Sequence, residues 1–127
     1  MRFSFPLLPA EFEIPDEWWF EAGMADFVPL GPAYRSIAAA TLIPLRAIEP
    51  PFRFPESPLD WHGFDRVRLI CILSGFVKGD EIKPVPVVEL PPADVPPAPF
   101  RYRVRDGVHR FYASVAAGFQ CLPAVVS

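Results

Sequence analysis

Histidine, cysteine and unbroken apolar runs are scarce in this chain, and positive charge is outnumbered by negative. With two histidines and two cysteines in all, no Cys/His metal knuckle can be assembled at the usual ligand spacing. Cys71 and Cys121 lie inside apolar stretches, "RLICIL" and "FQCLPAV", where a buried free thiol is the expected state. The longest weakly polar stretch, "SIAAATLIPL", falls far short of the roughly 20 residues needed to cross a bilayer, so no membrane partner is expected. Pro6, Pro9 and Glu11 interrupt any signal-peptide core, which makes a cytoplasmic protein the expectation. Twelve Lys and Arg against fifteen Asp and Glu leave a net charge of −3. With a pI near 5.3, the chain has no global attraction to nucleic acid, and only a local basic patch could supply one.

What is present is a folded chain rich in proline. Its 127 residues are enough for one domain with a real core. A hydrophobic fraction of 51% argues against disorder in spite of 18 prolines, which must therefore punctuate structure. Residues 1–37 are expected to form an N-terminal extension that packs on a core made by residues 38–127. In the extension, "FEIP" alternates as a short strand, and "DEWWFEAGM" from Asp16 starts with acids and ends near Gly23 as a helix should. Trp18 and Trp19 are expected to anchor it to the core. With Phe20 they also make an aromatic segment through which a protein partner could dock.

The rest of the chain alternates between the two periods. Thr41 to Ile48 is strand-like, with Pro44 marking an edge position or a bulge. A proline-rich loop, "EPPFRFPESPLDWHG", follows, in which His62 is expected to pack beside Trp61. From Asp65, a capping residue, Val67, Ile70, Cys71, Leu73 and Phe76 fall at helical spacing, and Gly75 and Gly79 close the segment. "KPVPVVELPP" and "FRYRVRDG" are expected to pair as a hairpin across a stiff connector from Pro91 to Pro99. Arg101, Arg103 and Arg105 then share one strand face, as a solvated surface would. "CLPAVV" is a final strand. Strand, helix, strand, strand, helix, strand predicts a compact α+β domain, a small mixed sheet with flanking helices.

The segment "RDGVHRFYASVAAGF" raises a question of charge. Asp106 is placed to cap a helix and Gly118 to end it, while Val108, Phe111, Tyr112, Val115, Ala116 and Phe119 make one apolar face. The first turn, however, carries His109 and Arg110 against the positive end of the helix dipole, at a cost of about 0.3–1 kcal/mol. Unpaired N–H groups at a helix start bind phosphate, and a guanidinium strengthens such a site.

Together, "IKPVPVVEL" and "YRVRDGVHRFYASVAAGFQCLPAVV" resemble the ParB/sulfiredoxin superfamily. The resemblance rests on Gly107, His109, Arg110, Gly118, Leu122 and Pro123, and on "LIPLRAIEPPFR" with the helix after Asp65, and it covers Ala40 to Val126. It implies a bound ATP or CTP with Mg2+, held by Asp106, Gly107, Val108, His109, Arg110 and Arg53. Glu49 and His109 become the catalytic candidates, Glu49 as a base for phosphotransfer, with Asp80, Glu81 and Asp106 as weaker carboxylates and no dedicated metal site. Arg46 and Arg53 flank Glu49 and add positive charge. Val108 stands where sulfiredoxins carry their cysteine, so thiol repair chemistry is not expected. No helix-turn-helix follows before Ser127, so sequence-specific DNA binding is not expected either. Three activities fit the resemblance: an NTPase or kinase, a non-catalytic interaction module that keeps the phosphate-binding turn, and a nuclease.

Overall fold

Local sequence signals set most element ends. A computed structural model describes residues 1–6, 10–53, 61–91 and 100–127. The connector residues 92–99 and loop residues 54–60, Pro9 among the N-terminal prolines included, lie with residues 7–9 outside the described residues. Strands β1 (Arg2–Ser4) and β2 (Glu11–Glu13) form a separate antiparallel pair with Phe3 opposite Phe12, and helix α1 (Asp16–Glu21) follows with its two acids in the first turn.

The stretch expected to be one strand is divided. After β3 (Thr41–Pro44), Leu45–Ala47 make a 3-10 turn, and the chain resumes as β4 (Ile48–Glu49). Pro44, at φ −55°, leads into that turn. The five-stranded sheet runs β3-β7-β5-β6-β4, so the turn carries the chain from one edge of the sheet to the other. Pro44 thus occupies an edge strand, where its missing N–H costs no ladder bond.

Helix α2 (Arg66–Lys78) starts where Asp65 predicts it, with the Asp65 carboxylate accepting from the Arg68 N–H at 2.9 Å. Gly79, in the left-handed region at φ 71°, ends it. Gly75 does not close the helix but lies inside it; a Cβ there would sit 3.2 Å from Ile82 Cδ1. Strands β5 (Val85–Glu89) and β6 (Tyr102–Val104) pair antiparallel as expected, and α3 (Val108–Ala117) leads into β7 (Cys121–Val126). Strand β7 runs antiparallel to β3 and parallel to β5, which makes the sheet mixed.

Register sorts the side chains. Ile43, Ile48, Val85, Val87, Leu122 and Ala124 are buried with Leu69 and Leu73 of α2 and Phe111 of α3. Phe12, Ile14, Trp18 and Trp19 belong to the same cluster, so the N-terminal part and the remainder share one core in a compact α+β fold. Ser114 is the buried polar side chain of that core, and its hydroxyl has no hydrogen-bond partner among the described residues.

The tryptophans anchor the N-terminal part as expected, whereas the cysteines are not buried. Trp18 and Trp19 are buried, leaving only Phe20 of the aromatic segment exposed, at 61%, so the tryptophans face the core rather than a partner. Cys71 is exposed and Cys121 half-buried, both as free thiols. Leu69, Leu73 and Phe76 define the buried face of α2, and Cys71, two residues from Leu69 and Leu73, is turned away by the helical repeat. No helix among the described residues is long and apolar enough to cross a membrane.

Candidate functional site

Helix α3 begins differently from the expectation. Its N-cap is Gly107, at φ 120° and ψ 36°, with no side chain closing the helix start and no acid in the first turn. Asp106 lies one residue outside and contributes its carbonyl instead. An L side chain at Gly107 would be strained by that φ. It would also be crowded, since a Cβ would lie 2.9 Å from Arg110 Nη2 and 3.1 Å from Val85 Cγ1. The turn is thus built around the guanidinium that follows it.

Main-chain oxygens occupy Arg110. Its Nη1 donates to the Pro84 carbonyl at 2.8 Å and the Lys83 carbonyl at 3.2 Å, and Nη2 donates to the Asp106 carbonyl at 3.5 Å. Three carbonyl dipoles therefore supply, from inside the protein, part of what an anion would offset. The Lys83 carbonyl also accepts from the Tyr34 hydroxyl at 2.6 Å. Burial pushes the Tyr34 phenol up to about 12, with the Arg110 charge pulling the other way.

His109 is likewise engaged. Its Nε2 accepts from the Asp65 N–H at 2.8 Å, which joins the start of α3 to the cap of α2. A ring accepting at Nε2 is neutral and carries its proton on Nδ1.

Arg53 sits on an aromatic seat. Its guanidinium carbon lies 4.4 Å from the Phe64 ring centre, 4.6 Å from that of Tyr112 and 5.8 Å from that of Phe12. Its Nη1 donates to the His62 carbonyl at 3.2 Å. That carbonyl is presented by a tight turn in which His62 and Gly63 both take positive φ, closed by paired Trp61–Phe64 backbone bonds. Tyr112 anchors the segment before Arg53 by donating to the Pro51 carbonyl at 2.7 Å, and burial raises its phenol against the lowering effect of Arg53. Because the His109 ring centre lies 6.0 Å from that of Phe64, Arg53 and His109 both border this one ring.

Glu49 is placed elsewhere. Ile48 points into the core, so strand alternation turns Glu49 to the other face of the sheet. There it stands opposite Arg103 in register and accepts from its Nε at 3.1 Å. Glu81 pairs with Arg35 at 3.4 Å beyond the end of α2. Among the described residues no group of three or more His, Cys, Asp or Glu could hold a metal ion.

Sequence reasoning singled out Arg53, His109 and Arg110 but missed what holds them. The Lys83, Pro84 and His62 carbonyls and the Asp65 N–H carry no side-chain signal. The aromatic seat is assembled from three distant segments, at Phe12, Phe64 and Tyr112. No protein-family model matches the sequence, and no curated protein matches it.

Proposed function

We propose that the first turn of α3 binds the phosphates of a nucleoside triphosphate, ATP or CTP, in a domain of ParB/sulfiredoxin type. The observation that carries this reading is a helix start capped by Gly107 with no side-chain cap and no acid, with His109 and Arg110 in its first turn and Arg53 seated on the Phe64 ring that His109 also borders. Open N–H groups at the positive end of a dipole favour an anion, and a neighbouring guanidinium raises that preference.

The residues present do not make a protein-held magnesium site, because no ligand cluster exists among those described. Magnesium would arrive on the phosphates and keep its waters. Glu49 is paired to Arg103 on the other face of the sheet, so the proposed function is binding alone.

Calorimetric titration with ATP, CTP, GTP and UTP in the presence of magnesium tests it. One nucleotide should bind with a single-site isotherm. Arg53→Ala should weaken that binding at least about tenfold, which is about 1.4 kcal/mol. Arg110→Ala is to be judged beside its thermal unfolding curve, because that guanidinium also ties the residues just before β5 to α3. Absence of heat with all four nucleotides would overturn the reading.

A further inference from the structure

The opposite end of α3 opens on a groove of about 730 Å3, bounded by the loop from Gly23 to Arg35 and by the end of α2. That volume lies in the range of small-molecule sites, roughly 300–1,000 Å3. Aromatic rings in mutual contact wall it. Tyr34 stacks on Phe76 at 5.5 Å, Phe76 meets Phe119 edge-on at 5.2 Å, and Phe27 meets Phe119 at 6.0 Å.

The groove is lined by two acids and two bases, and they are not engaged alike. Helices α2 and α3, of 13 and 10 residues, both end at it, through Lys78 and Gly79 in one case and just before Phe119 in the other. Their C-terminal ends carry the negative poles of the two dipoles. Asp26 and Asp80 line the same space, and neither carboxylate has an ion pair or hydrogen bond among the described residues. Of the two basic side chains at the rim, Arg35 is engaged by the Gly79 carbonyl and Glu81. Lys78 occupies the last residue of α2, where the helix pole already offsets its charge.

We infer that this groove binds a small organic cation with an apolar body, an alkyl- or arylammonium compound. Tyr34, Phe76 and Phe119 are buried against one another, and the half-buried Phe27 with the exposed Val28, Leu30 and Val77 receives the apolar body. The two carboxylates and the helix poles receive the charge. This site lies at the far end of α3 from the nucleotide site and does not depend on it.

Titration of the 15N-labelled protein with benzyltrimethylammonium, benzyl alcohol and benzoate, followed by amide NMR, tests the inference. The cation should give saturable shifts at Phe27, Tyr34, Gly79 and Phe119, with a Kd at least tenfold tighter than either comparator. Asp26→Asn combined with Asp80→Asn should weaken the cation at least fivefold and leave the rest of the spectrum unchanged, since both side chains are exposed. Lys78→Gln should tighten it. No saturable shift, shifts centred elsewhere, benzoate or benzyl alcohol binding as well as the cation, or an unaltered Kd in the double variant would each overturn it.

Discussion

At its start α3 is bordered by Arg53, His109 and Arg110, whereas its end opens on a groove lined by Asp26 and Asp80. The two arginines and the two carboxylates each have the sign that the nearby helix pole disfavours. The two ends treat their charge in opposite ways. Arg110 is surrounded by the Lys83, Pro84 and Asp106 carbonyls, Arg53 lies on three rings, and His109 accepts a backbone hydrogen bond. The carboxylates at the other end have no such internal partners among the described residues. Charge placed against a dipole is therefore not in itself the mark of a ligand. What distinguishes the ends is how much of that charge the protein has already used to hold itself together.

The largest expected effect is at the crowded end. Gly107→Ala combines an unfavourable φ with contacts to Arg110 and Val85 that leave no room for a Cβ, and should destabilise by about 3 kcal/mol in urea unfolding. The second effect follows the partner that Arg110 shares with Tyr34. The folded state holds the Tyr34 phenol at about 12 against 10.0 for a free tyrosine, so it favours the protonated form. That contribution is complete below pH 10 and is lost as pH rises from 10 toward 12, by at most about 2–3 kcal/mol. Unfolding midpoints measured between pH 9 and 12 should fall through that window. A flat profile would detach Tyr34 from the stability of this end. The smallest effect is at the open end, where Gly118 also has a positive φ, 89°, but a Cβ would meet only Pro29 Cγ at an ordinary 3.6 Å. Gly118→Ala should cost only about 1 kcal/mol, read in the same urea experiment. Equal costs for the two glycine variants would erase the distinction between the crowded and open ends.

Much of the fold was legible because its signals are local. The Asp65 cap, the Gly79 and Gly118 stops, the β5–β6 hairpin, the edge position of Pro44 and the anchoring tryptophans each follow from a residue and its near neighbours. The division of Thr41 to Glu49 between two sheet edges was not legible, since a 3-10 turn of Leu45, Arg46 and Ala47 has no distinctive composition. Asp106 and Gly107 exchanged roles for a related reason. Either can precede a helix, and the tie was settled by how close the chain must pass to Arg110. For the candidate site, residue types were legible and their engagement was not. Glu49 looked like a loop carboxylate because its partner, Arg103, stands 54 residues away in sequence. The groove was missed because its walls come from the Gly23 to Arg35 loop, the end of α2 and Phe119, each unremarkable when taken separately.

The three tryptophans also make the molecule a convenient optical instrument. Trp18 and Trp61 meet edge-on at 6.0 Å across the seam where the first 22 residues join the remainder, and Trp19, 5.0 Å from Phe3, is buried in the core the two parts share. Intrinsic emission will accordingly report the seating of that N-terminal part almost alone. A far-ultraviolet signal from α2 and α3 will report the remainder, and simultaneous recording of the two would show whether the seam opens before the sheet does.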